Sequence, residues 1–147
     1  MFIKLIRLLI LIAALPGGSS NLEAQGICIP KPLTVYAVKG RILFEAAGKA
    51  EPLGDATVEI SAYGYQKPVL AKMTTPADGR FDLSMVAPGR YYLSTEHPAI
   101  IGMRVEIWLQ PSKKAIQTVQ DIEFVLRNDP GRSCGGGTVS LVPRSLG

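Results

Sequence analysis

Thr75-Pro76-Ala77-Asp78-Gly79-Arg80-Phe81-Asp82-Leu83, followed after a short gap by Pro88-Gly89-Arg90-Tyr91-Tyr92-Leu93, sets two turns beside two runs of alternating apolar residues. Asp78-Gly79 supplies the backbone conformations that a tight reversal needs, and Pro88-Gly89 supplies a second one. Phe81 and Leu83, then Tyr91 and Leu93, fall on every second position, the period of a strand with one buried face. Two turns and two alternating segments in so short a span predict a β-meander, which the rest of the chain covers with further strands.

Working outward, Val58, Ile60 and Ala62 alternate with Glu59, Ser61 and Tyr63, and this is the clearest half-buried strand. Val105, Ile107 and Leu109 alternate with Arg104, Glu106 and Trp108, and Ile122, Phe124 and Leu126 continue the pattern near the C-terminus. The first strand is predicted from Leu33 to Phe44, with Val38, Gly40, Ile42 and Phe44 on one face. A glycine inside it predicts that another backbone or a large side chain lies close by. Residues 46–54 are small, charged and rich in Pro and Gly, and read as a loop. Val69 to Thr75 is a weaker strand. The chain is therefore expected to be all-β, a seven-stranded antiparallel Greek-key sandwich preceded by a signal-peptide helix.

That leading segment is a targeting signal by its layout. Lys4 and Arg7 form a basic start, Leu8 to Leu15 is apolar, and Pro16-Gly17-Gly18 interrupts it. Eight apolar residues are too few to span a bilayer, which takes about 20. The expected organisation is a signal peptide over 1–24, a lead segment over 25–34, the sandwich over 35–128 and a Gly-containing tail over 129–147. About 120 residues remain after cleavage, enough for one core. The whole chain has 16 basic and 12 acidic side chains, a net charge of +4. The basic residues are scattered, which argues against nucleic acid as a partner. Export places the protein in the periplasm or outside the cell, with no stable membrane span after cleavage.

Cys28 and Cys134 are the two cysteines. In an oxidising compartment such a pair is expected to form a disulfide. Closing a loop of about 100 residues stabilises by up to about 4 to 5 kcal/mol in the chain-entropy account.

The motif order resembles a known family, the carboxypeptidase regulatory-like domains of the transthyretin-like (prealbumin-type) β-sandwich class. The resemblance is carried by Val38-Lys39-Gly40-Arg41-Ile42, by Pro52-Leu53-Gly54-Asp55-Ala56-Thr57-Val58-Glu59-Ile60, and by the opening stretch through Leu93. It implies a seven-stranded sandwich acting as a non-catalytic module of exported proteins.

The residue inventory points the same way. His97 is the single histidine, too few for hydrolases or iron dioxygenases of related sandwich type, and too few for a zinc site. Asp78, Asp82, Asp121 and Glu123 are spread rather than convergent. No catalytic residue, metal or cofactor is expected, and the chain is read as not being an enzyme. Tyr63, Tyr65, Tyr92 and Trp108 are predicted to point outward by alternation. The expected function is protein interaction or an envelope or extracellular scaffold, with an unidentified protein partner. The alternative is a carbohydrate-binding module whose ligand platform is Tyr63, Tyr65, Tyr92 and Trp108, with glycans as the partner.

Overall fold

A computed structural model of the chain describes residues 30–112, 120–128 and 136–144. The signal segment and both Cys28 and Cys134 lie outside the described residues. So does the expected signal-peptide helix.

Alternation in the sequence becomes two stacked sheets. The strands are β1 (Leu33–Val35), β2 (Lys39–Ala46), β3 (Lys49–Pro52), β4 (Thr57–Ala62), β5 (Val69–Thr74), β6 (Arg80–Asp82), β7 (Gly89–His97), β8 (Ile100–Leu109), β9 (Gln120–Arg127) and β10 (Gly136–Pro143). One sheet runs β1-β8-β7-β4-β5; the other runs β10-β9-β2-β3, with β6 beside β3 on the same flank of β2. We call them the first and second sheet. Each buries its alternate residues against the other. Val58, Ile60, Leu93 and Ile107 of the first sheet and Ile42, Ile122, Phe124 and Leu126 of the second are completely buried. The Phe81 and Phe124 rings meet at 6.2 Å between centroids. No helix long and apolar enough to cross a membrane occurs among the described residues.

The sandwich class matches expectation, but several details differ, among them a tenth strand, β10, within the expected C-terminal tail. Ten strands are present among the described residues instead of seven. Two pairs are parallel, β1 with β8 and β2 with β9, so the sheets are mixed rather than wholly antiparallel. The expected first strand is broken after Val35, and its two parts join different sheets. Residues 46–54 are a hairpin rather than a loop, closed by Ala47 at φ 52° and Gly48 at φ 78°.

The opening stretch is not a meander. β5 and β7 belong to the first sheet and β6 to the second, so both of its turns carry the chain across the core. Gly79 serves the first crossing: its φ is +70°, and a Cβ there would lie 2.4 Å from the Ile42 carbonyl oxygen, which leaves glycine alone able to occupy the position. Asp78 holds the turn by accepting the Arg80 N–H at 3.0 Å. Thr75, buried at the same crossing, donates to the Leu53 carbonyl at 2.8 Å and accepts the Ala56 N–H at 3.1 Å. This satisfies backbone groups that would otherwise be buried without partners.

Candidate functional site

Because Leu93 of β7 and Val105, Ile107 and Leu109 of β8 are buried in the core, the residues between them are forced onto the outer face of the first sheet. Antiparallel register then sets Arg90 opposite Trp108, Tyr92 opposite Glu106 and Ser94 opposite Arg104. On the other side of β7, Tyr92 lies opposite Ser61 of β4, whose small side chain leaves room above the sheet. Tyr63, one residue past β4, folds into that room and stacks on Tyr92 with ring centroids 5.1 Å apart and planes 29° apart.

Two arginines complete a column. The Arg90 guanidinium lies 3.6 Å from the Tyr63 ring centroid and 5.5 Å from that of Trp108, while the Arg104 guanidinium lies 5.4 Å from that of Tyr92. The order is Arg104, Tyr92, Tyr63, Arg90, Trp108, with cations over the electron-rich ring faces. Glu106 clasps it from below. Its Oε1 accepts from Arg90 Nε–H and from Trp108 Nε1–H. Arg104 Nε–H donates to Ser94 Oγ at 3.1 Å.

The charges respond to these contacts. The Arg90 hydrogen bond, helped by that from Trp108, holds the Glu106 carboxyl below its ordinary value of 4.5. The Glu106 hydrogen bond in turn raises Arg90. Desolvation, and then the hydrogen bond with Tyr63, push the Tyr92 phenol up.

Three of the four aromatics marked out by alternation are thus gathered on one face. The fourth, Tyr65, stands in the β4–β5 loop with 88% of its surface exposed. Both faces of the Tyr63 ring are occupied, one by Arg90 and one by Tyr92. Tyr63 remains 38% exposed and Trp108 44% exposed. Arg90, Arg104 and Glu106 are the members that sequence reasoning missed; their outward alternation was visible, but nothing in the sequence said that they bind the rings.

Beside the column a groove of about 1160 Å³ follows the edge of β8. Pro30, Lys31, Tyr65 and Gly137 to Val139 of β10 line it together with Tyr92 and Arg104 of the column. A smaller hollow near Gly40 contains the ion pairs Lys39–Asp82 at 3.2 Å and Arg144–Asp121 at 2.6 Å. Of the four carboxylates expected to be spread, Asp82 and Asp121 line this hollow together; no group of three or more potential metal ligands occurs among the described residues. His97 Nδ1 accepts the Ala99 N–H at 3.1 Å in the β7–β8 turn.

Comparison with known proteins follows from this architecture. A family model described as BOS complex subunit NOMO1-like, second beta sandwich domain, matches residues 33–123. No curated protein matches the sequence. Among solved structures, sea bream transthyretin in complex with thyroxine is 16% identical, with a TM-score of 0.49 over 76% of this chain and 98% of that one. A 5-hydroxyisourate hydrolase from Klebsiella pneumoniae is also 16% identical, with a TM-score of 0.46 over 76% of this chain and 100% of that one. An (S)-allantoin synthase is 10% identical, with a TM-score of 0.42 over 75% and 45%. The expected transthyretin-type sandwich class is the class these matches name. One expectation is corrected: the statement that the chain is not an enzyme does not stand, because a hydrolase and a synthase are among its structural neighbours. A sandwich frame does not decide for or against catalysis, since activity resides in sites carried on a fold. At this level of likeness the two neighbours assign no activity to the chain.

Proposed function

The chain belongs to the family of the BOS complex subunit NOMO1-like second beta sandwich domain, and on that premise we propose that it is an exported protein-interaction module of the cell envelope or extracellular space. The proposed docking surface is the outer face of the first sheet, centred on Arg90, Trp108 and Tyr63. One observation carries this reading. Two arginines and three aromatic rings, the residue types enriched where proteins bind one another, are pre-ordered by Glu106 on an otherwise polar exposed sheet. Holding long side chains in place before contact lowers the ordering cost of binding. Export rests on the layout of residues 1–24, and the Cys28–Cys134 disulfide is proposed with it.

Affinity capture from the exported fraction tests this. The wild-type chain is expected to retain a defined partner that an Arg90→Ala/Trp108→Ala double variant releases, with both proteins equally folded by circular dichroism. Equal capture by the two would remove the outer face as the docking surface.

A second reading, a carbohydrate-binding module, is supported by the exposure of the Trp108 and Tyr65 side chains. It is weakened by the closed stacking of Tyr63 and Tyr92, because a sugar ring packs on a bare aromatic face. Glycan-array binding lost on Trp108→Ala would support it, and an array without Trp108-dependent signal would end it.

A further inference from the structure

Among the described residues the edge of β8 is only partly covered. β1 pairs in parallel with Ile107, Trp108 and Leu109 and begins at Leu33, directly after Pro32. β8 itself reaches back to Ile100. The strand that flanks β8 is therefore three residues long against ten, and β10, although close by, is hydrogen-bonded to β9 alone.

The register says which backbone groups this leaves. Gln110 N–H donates to the Val35 carbonyl at 2.8 Å, so the main chain of Gln110 faces β1. Successive residues of a strand turn their N–H and C=O to opposite edges, so Trp108, Glu106 and Arg104 face the same edge. Leu33 ends the β1 ladder. Beyond it, the N–H of Glu106 and both main-chain groups of Arg104 are presented to the groove.

We propose that this edge, at Arg104 and Glu106, accepts an extended peptide segment of alternating acidic and aliphatic residues as an added strand of the first sheet. It rests on the interaction reading above and names the kind of segment that a partner would insert. About three residues lie directly along it, each spanning about 3.3 Å, because beyond Arg104 the edge is met by Gly136 of β10, where a built Cβ would lie 2.8 Å from the Gly102 carbonyl oxygen. An added strand places alternate side chains on opposite faces. Those pointing inward meet Met103, Leu33 and Val139, which line the groove and ask for aliphatic residues. Those pointing outward arrive beside Arg104. Neither Arg104 nor Lys31 forms an ion pair among the described residues, whereas Glu106 is already paired with Arg90. The unmatched charge at the groove is positive, which selects acidic side chains. Main-chain bonds to Arg104 and Glu106 supply affinity, and the alternate pockets supply selectivity, as in other strand-addition complexes.

The test is a nuclear magnetic resonance titration of the full chain with a blocked hexapeptide of alternating glutamate and valine. The expected result is slowed hydrogen exchange, by about tenfold or more, at the amides of Arg104 and Glu106. N-methylation of the peptide amides on the β8-facing side should weaken binding about tenfold. A lysine–valine hexapeptide should bind at least about fivefold more weakly, and Arg104→Glu should reverse that preference. The proposal is overturned if these amides are already protected in the free chain, if binding ignores N-methylation, or if concentration-dependent pairing of two copies protects the same amides without peptide. Loss of edge binding while capture remains sensitive to the Arg90/Trp108 double variant would defeat this inference and leave the broader reading intact. Intact edge binding with variant-insensitive capture would do the reverse.

Discussion

Gly40→Ala is the substitution whose cost follows most directly from the geometry. Gly40 lies on β2 opposite Ile122 of β9, in the parallel pair at the centre of the second sheet. A Cβ built on it would stand 1.8 Å from the Ile122 carbonyl oxygen and 2.7 Å from its carbon. Both atoms are backbone, so no side-chain rotation relieves the overlap, and the strands must part by more than an ångström. Parting them forfeits about two ladder hydrogen bonds at about 1 kcal/mol each and adds an overpacking cost of about 1 to 3 kcal/mol, together about 3 to 5 kcal/mol. For a domain of this size, each kcal/mol shifts the melting temperature by about 4 °C, so a fall of about 12 to 20 °C is expected by differential scanning calorimetry. Gly48→Ala is the control. Gly48 sits at φ +78° with nothing within 4 Å of its built Cβ, so only a conformational cost of about 1 kcal/mol applies. If Gly40→Ala melts no lower than Gly48→Ala, the close approach of β2 and β9 is wrong, and with it the centre of the second sheet.

Other outcomes follow from the same contacts. Thr75→Val removes the hydroxyl that serves both the Leu53 carbonyl and the Ala56 N–H and should cost about 1 to 3 kcal/mol by urea denaturation, with Thr75→Ser near wild type. Because the Glu106 carboxyl is held below 4.5, its contribution is present above that pH and is lost as pH falls through the lowered folded value. Melting curves from pH 7 to pH 3 should show this loss, and Glu106→Gln should lack that component. Reduction of the proposed Cys28–Cys134 bridge should lower the melting temperature to that of a double Cys→Ser variant, and free thiols in the unreduced protein would contradict it.

Much of the core was legible because alternation states which side of its own strand a residue occupies. Val58, Ile60, Val105, Ile107, Ile122, Phe124 and Leu126 are all buried as their period requires. The glycine within β2 was readable as a mark of close backbone approach, and Ile122 is what approaches. Alternation does not state which sheet a strand joins. Phe81 and Leu93 read alike, yet they sit in opposite layers, because Pro88-Gly89 signals a reversal without naming the strand's next neighbour. β3 escaped because Lys49, Ala50, Glu51 and Pro52 are all exposed and carry no apolar period. β10 escaped because Gly136 and Gly137 look like a tail, although Val139 and Leu141 pack against the core. At the site, the outward side of Tyr63, Tyr92 and Trp108 was legible. Their union through Arg90 and Glu106 was not, since it depends on a cross-strand register that leaves no local signature. The proposed β8 edge site likewise depends on β1 beginning only at Leu33, a property of two strands far apart in the chain.

The central functional claim is that partners meet the outer face of the first sheet, and site-specific photo-crosslinking tests it most directly. A photoreactive residue at position 108 is compared with one at Ser140, on β10 opposite Glu123 in the second sheet. A discrete partner adduct is expected from position 108 in the exported fraction and none from position 140. An adduct from position 140 alone would contradict it and move the docking surface to the opposite layer.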